Sequence, residues 1–370
     1  MSDKNTFNRI YVHVPFCLSK CSYCAFYSTA GAPQNLIDSY LNKLRSDFEK
    51  LSPECPGPQS VFIGGGTPNS LNAASLERLL SILSSAFNLD NVNEFSIECN
   101  PESLDNEKAS IIGRYANRVS MGVQSFSPEL RKVIGRAGEP ESFYSGIELL
   151  KTNGIKNIGT DLIYAIPGQT LEEWSSELSL AADCGIKHIS AYALSIEEGS
   201  RLAENKNLKI PDDELSASMW EAAGKVLKDK GFVRYEISNY AIPSCECCHN
   251  TEIWRGDTYI GVGPAASSFD GRDRWTNPAD ISQWLDGKSP EMDIIPREKR
   301  LREIFVMGLR LTHGWDIERF RQIAGDALTE KIIRKCAVFA SEGLLDIVGR
   351  SLRLTEKGLL LWNAIGAELL

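Results

Sequence analysis

Apolar positions along the chain follow two alternating rhythms. Short β-prone runs occur at Ile10–Val14, Ser60–Ile63, Glu94–Glu98, Arg118–Val123, Asn157–Tyr164 and His188–Leu194. Between them apolar residues recur every three or four positions, as on one face of a helix. Gln34–Lys50 carries Leu36, Ile37, Tyr40, Leu41, Leu44 and Phe48 on such a stripe, and Ala73–Phe87 carries Leu76, Leu79, Leu80 and Leu83. Leu171–Cys184 and Asp212–Lys230 follow the same rule, the latter opening on Pro211-Asp212-Asp213-Glu214, a helix-start signal. Alternating strands and helices predict an α/β fold with a parallel sheet. Six units fall short of a closed eight-unit barrel.

After Lys230 the rhythm changes. Phe232–Ile237 reads as one more strand, Ser238–Asp257 as a loop rich in cysteine and tryptophan, Tyr259–Pro264 as a short strand and turn, and Asp280–Leu285 as a brief helix. Two prolines in Lys288–Pro296 mark a linker. Beyond it, helices at Arg297–Leu311, Asp316–Ala324 and Ala327–Glu342 precede a β-like pair, Leu345–Val348 and Leu352–Leu354, and a last helix, a winged-helix-like order. The expected division is residues 1–240 as the barrel, 241–290 as an extension with the Cys/His loop, and 291–370 as a small C-terminal helical domain.

Composition narrows the function. Hydrophobic residues make up 42% of 370, enough for a sizeable core. The net charge of −9 argues against nucleic-acid binding, and the tail, with 13 Lys+Arg against 10 Asp+Glu, lacks a basic stripe. The tail therefore reads as a packing or substrate-cover domain. No apolar run is long enough to span a bilayer, and the N-terminal stretch lacks the apolar core of a secretory signal. Ten cysteines in such a chain predict a reducing, cytoplasmic setting in which thiols serve metals or catalysis. Peripheral membrane contact and homodimerisation stay open.

The candidate chemistry falls near the C-terminal ends of the strand runs, where barrel enzymes place it. Cys17, Cys21 and Cys24 follow the first run in a C-x-x-x-C-x-x-C pattern, with Tyr23 and Phe26 interleaved. Gly64-Gly65-Gly66-Thr67-Pro68 follows the second, Glu98-Cys99-Asn100-Pro101 closes the third, and Gln124-Ser125-Phe126 the fourth. Asp161 lies in the fifth, and Ser190-Ala191-Tyr192-Ala193 ends the sixth. An iron–sulfur cluster of four irons ordinarily takes one thiolate per iron, so three cysteines leave one iron open. Thiolates serve zinc equally well, and a site of these three cysteines with His13 is the competing reading. The triple glycine lacks the spacing and lysine of a P-loop.

The cysteine loop resembles that of the radical S-adenosylmethionine (SAM) superfamily. More narrowly, YVHVPFCLSKCSYCAF, FIGGGTP, RVSMGVQSF, TDLIYAIPGQT, HISAYALSIEEG, RYEISNYA, CHNTEIWRGDTYIGVGP and GLRL occur in the order seen in HemW-type haem chaperones of the oxygen-independent coproporphyrinogen III oxidase-like group. The resemblance implies a partial (β/α)6 barrel with a C-terminal helical domain. It implies a [4Fe–4S] cluster on Cys17, Cys21 and Cys24, and SAM near Tyr11, Tyr23, Gly65, Gly66, Thr67, Glu98, Gln124, Arg136, Asp161 and Ala193. For Arg136 a salt bridge at the rim is the equal alternative. The resemblance also implies haem, haem-protein acceptors, and an electron donor such as a flavodoxin or ferredoxin. The oxidase carries a further cysteine where this chain has Phe26, so decarboxylation of a porphyrinogen is not implied.

At the haem segment relatives resemble H-N-x-x-Y-W, and this chain has Ile253 in place of the tyrosine. His249 is the expected haem contact, a structural role or another metal being the alternatives, with Cys245, Cys247 and Cys248 beside it. Ser267 stands where relatives often have histidine. His188 and His313 receive no function.

Overall fold

The computed structural model describes residues 6–205 and 208–370. Residues 1–5, part of the stretch read as lacking a secretory signal, lie outside the described residues. A mixed sheet of twelve strands forms the backbone of the fold. In chain order these are β1 (Arg9–Val14), β2 (Ser60–Gly65), β3 (Glu94–Cys99), β4 (Arg118–Gln124), β5 (Asn157–Tyr164), β6 (His188–Ala193), β7 (Val233–Arg234), β8 (Asn239–Ala241), β9 (Tyr259–Val262), β10 (Ser267–Phe269), β11 (Arg274–Thr276) and β12 (Glu291–Asp293). Their spatial order is β12-β11-β10-β9-β1-β2-β3-β4-β5-β6-β8-β7.

The six expected strands are neighbours in sequence order and all parallel, in registers such as Tyr11 with Phe62 and Asp161 with Ser190. The sheet extends beyond the expected six. β9 joins β1 in parallel, and β10 to β12 continue antiparallel. The proposed linker Lys288–Pro296 thus carries a strand hydrogen-bonded to Arg274–Thr276. Two prolines do not exclude an edge strand when neither falls on a donating position. The expected strand Phe232–Ile237 shortens to β7, and the expected loop Ser238–Asp257 contains β8 and a helix, Cys248–Trp254.

Helices cover the outer face. Gln34–Leu51 buries Ile37, Tyr40, Leu41, Leu44 and Phe48, and Ala73–Ala86 buries Leu76, Leu79, Leu80 and Leu83, the stripes read from periodicity. Their starts are fixed by local chemistry. Asn72 and Asp212 accept backbone N–H groups at the entries to Ala73–Ala86 and Asp213–Asp229, and Thr170 with Glu173 forms a reciprocal cap on Leu171–Asp183. The main core lies between these helices and the outward-facing residues of the sheet, for example Val119, Met121 and Val123 of β4, and continues into the tail.

The tail has helices Arg297–Gly308, Ile317–Ala324 and Asp326–Ser341, a three-stranded sheet of Trp315–Asp316, Ser351–Leu354 and Leu345–Val348, and two short terminal helices. Trp315 is buried against Phe305 and Phe320 at its centre. Ion pairs tie it to the stretch after β6: Arg234 to Glu356, Arg310 to Glu236 and Arg319 to Glu252. No described tail residue lines the central cavity. Among the described residues no helix is long and apolar enough to cross a membrane.

Candidate functional site

A cavity of about 650 Å³ opens at the C-terminal ends of the parallel strands and runs down into the barrel. Its lining includes Cys17, Cys21, Cys24, Tyr23, Gly65, Gly66, Thr67, Glu98, Gln124, Arg136, Asp161 and Ala193. Twelve of the fourteen expected site residues therefore meet in one place.

The cysteine loop is held at several points. Phe16–Cys17 pairs with Thr29–Ala30, and Gly31 N–H donates to the Cys17 carbonyl at 3.1 Å. Ser22 N–H donates to Ile134 O, and its own carbonyl accepts from Leu202 N–H at 2.8 Å. Tyr23 packs into a separate apolar cluster with Ile134, Ile163 and Leu194. All ten cysteines are free thiols. Burial raises the Cys21 thiol, and the Arg136 guanidinium beside it opposes that shift. The zinc reading loses its fourth ligand. His13 has Nε2 within 3.0 Å of the Tyr27 carbonyl, which can only accept, so the ring is protonated there; Nδ1 then accepts the Tyr11 hydroxyl at 3.1 Å. Three thiols with no histidine beside them are the donor set of a cluster with one open iron.

The glycine turn is bound to that loop. Gly66 N–H donates to Val14 O at 2.8 Å, Thr67 N–H to Phe16 O at 2.7 Å, and Gly65 N–H to Glu98 Oε2 at 3.2 Å. With these N–H groups engaged, the turn has carbonyl oxygens left to offer, which suits an ammonium group. Glycine is required here: Gly65 has φ +105°, and a Cβ on it would stand 2.5 Å from the His13 ring. A Cβ on Gly66 would stand 2.6 Å from Phe16 O.

Two carboxylates face the cavity. The Glu98 carboxyl is pushed up to about 8 by burial and by the charge of Asp161. Burial also raises Asp161, against the pull of hydrogen bonds from Ser190 and Ser120 and of the Arg118 charge. Arg136 forms a bidentate pair with Glu102, at 2.6 and 3.1 Å, and donates to Gly122 O at 2.6 Å. Gln124 adopts φ 71° at a bulge where β4 slips register against β5. A non-glycine residue there is strained, and such strain clusters at functional sites.

Two expected residues are not brought to the cavity wall. Tyr11 lies behind it, its ring 6.3 Å from Phe62 and its hydroxyl committed to His13. His249 is 3% exposed at the opposite end of the barrel, where helix Cys248–Trp254 plugs the strand starts. Its Nδ1 bonds Ser60 Oγ at 2.9 Å, its ring packs 5.3 Å from Phe62, and its backbone N–H donates to Glu94 Oε1. Burial lowers its imidazole to about 3. In this structure the ring is enclosed and its Nδ1 is already hydrogen-bonded.

Residues 11–181 match the Radical SAM superfamily and residues 295–361 the HemN C-terminal domain. The chain is 31% identical over 374 residues to the Heme chaperone HemW of Lactococcus lactis, covering 97% of this chain and 96% of that one. This chain belongs to the HemW family. It is 34% identical over 375 residues to HemW of Mycobacterium tuberculosis strain H37Rv, covering 98% and 94%, and 30% over 367 residues to HemW of Escherichia coli, covering 96% of each. Among solved structures, coproporphyrinogen III oxidase HemN from E. coli superposes with a TM-score of 0.85 at 22% identity, covering 99% of this chain and 90% of that one. At that identity the likeness is one of fold.

The expected site residues are not the whole of the cavity. Phe62, Arg118, Ser120, His188, Ser190, Tyr192 and Asn239, all inside the motifs shared with HemW proteins, also line it. One signal was available. Along β4 the positions Arg118, Ser120, Gly122 and Gln124 alternate with buried Val119, Met121 and Val123, so the polar set faces inward and the apolar set faces the helices.

Proposed function

We propose that this chain is a haem chaperone of the radical-SAM type, which binds haem and passes it to haem proteins in the cytoplasm. The observation that carries this reading is that similarity to HemW proteins runs through the whole chain, barrel and tail together. Cys17, Cys21 and Cys24 would hold a [4Fe–4S] cluster, which when reduced supplies an electron to the sulfonium of SAM. The carbonyl-presenting turn at Gly65 and Gly66 suits the SAM ammonium, Glu98 can accept from ribose hydroxyls, and Gln124, Arg136, Asp161 and Ala193 border the same space. Leu18 and Phe26, 63% and 69% exposed beside the cysteines, give a small electron-transfer protein such as a flavodoxin or ferredoxin an apolar contact.

The test is a transfer experiment. Anaerobically reconstituted protein is loaded with haem and mixed with an apo haem protein; the acceptor is expected to gain haem faster than from free haem, and equal rates would overturn the reading. The HemN fold supports a second reading, an oxidase acting on coproporphyrinogen III. Product analysis with that substrate, SAM and a reductant is expected to show no conversion.

A further inference from the structure

The cavity continues below Glu98 and Asp161 to a floor built from the first residues of β4 and β6. Arg118, His188 and Asn239 line it and are 3%, 2% and 3% exposed. Arg118 Nε, His188 Nδ1 and Asn239 Oδ1 are all buried without a hydrogen-bond partner in the protein. Buried polar atoms are nearly always partnered, and an orphan costs about 1–3 kcal/mol. Here three belong to neighbours at one end of one cavity.

Their polarity can be worked out. The guanidinium Nε always carries hydrogen. The Tyr235 oxygen accepts from Cys247 N–H at 3.3 Å, which directs its own proton to His188 Nε2 at 2.8 Å. Burial and the Arg118 charge keep the imidazole neutral, so its remaining proton is on Nδ1. The floor therefore presents two donors, one of them cationic. Asn239 adds an acceptor, or a third donor after a half-turn of its amide. Gly159 packs beside the histidine: a Cβ there would stand 3.0 Å from His188 Cβ and 3.2 Å from Nδ1.

We propose that this floor is a second ligand subsite, which takes the carboxylate of a small molecule bound in the barrel alongside SAM. The competing occupant is ordered water. The floor is independent of haem, whose binding the transfer experiment reads separately.

The experiment uses the cluster-loaded protein with SAM and ligand-observed NMR on three matched probes: propionate, 1-propanol and propylamine. Propionate is expected to bind and the other two not. Asn239→Asp places a negative charge at the floor at nearly constant volume and should weaken propionate by at least about tenfold, leaving SAM affinity within about twofold. Gly159→Ala crowds His188 Nδ1 and should weaken propionate in the same way, which keeps the test decisive if the first variant misfolds. Propionate binding no better than 1-propanol means water only and overturns the proposal, as does propionate affinity unchanged in a folded variant.

Discussion

The hydroxyl of Thr67 stands 3.5 Å from Cys17 Sγ and accepts from Asn100 Nδ2 at 3.1 Å. With Asn100 donating to its oxygen, Thr67 has its own proton to give to the sulfur. A hydrogen bond to a cluster thiolate stabilises the more negative, reduced state and raises the potential. Thr67→Val should keep about four irons per chain and shift the midpoint potential to more negative values in a redox titration. An unchanged potential would show that hydroxyl and thiolate do not meet in the loaded protein.

The raised Glu98 carboxyl makes stability depend on pH. Between about 4.5, its ordinary value, and about 8, the folded SAM-free protein retains a proton that the unfolded chain releases. The folded state binds more protons in that window, so stability falls as pH rises through it. Glu98→Gln removes the slope. Denaturant unfolding should show the variant gaining on the order of 2 kcal/mol relative to wild type between pH 5 and pH 8, while SAM binding weakens because an amide has one acceptor oxygen. Parallel pH profiles for the two proteins would place the proton elsewhere.

The rim was legible because strand ends and cysteine spacing are local features. Cys17, Gly65, Glu98 and Asp161 each sit within three residues of a recognisable strand end, and a parallel sheet brings such ends together. His249 was not legible: its place depends on helix Cys248–Trp254 returning to the strand starts at Ser60 and Glu94, a contact spanning 189 residues to Ser60. Pairing of β9 with β1 is equally remote, across the whole barrel. The floor at Arg118 and His188 was missed because polar residues at strand starts ordinarily signal solvent, whereas here they face inward.

His249 should behave as part of the barrel plug. His249→Ala removes the bond to Ser60 and the packing on Phe62, and should destabilise by about 2–4 kcal/mol in denaturant unfolding. Wild-type stability should also fall on acidification. The folded imidazole sits near 3 and the unfolded one near 6.5, so the unfolded chain takes up the proton first in that window and stability is lost as pH drops through it. Haem affinity measured in the folded variant should match wild type. A large loss of haem with stability unchanged would return the haem contact to this residue.

Arg136 and Glu102 decide between a structural ion pair and a cofactor contact. The guanidinium is 3% exposed and held by both Glu102 oxygens. Glu102→Ala leaves a buried charge with the Gly122 carbonyl and the Cys21 sulfur but no carboxylate, and should cost about 3 kcal/mol. Adding Arg136→Met removes the uncompensated charge and should restore much of that stability, since an apolar replacement of a buried pair is often near neutral. Yet Arg136 also lines the cavity beside Cys21. If it contacts SAM, the double variant should unfold near the wild-type midpoint and still bind SAM about tenfold more weakly by equilibrium dialysis. Wild-type SAM affinity in that stable double variant would reduce the arginine to a brace for the loop.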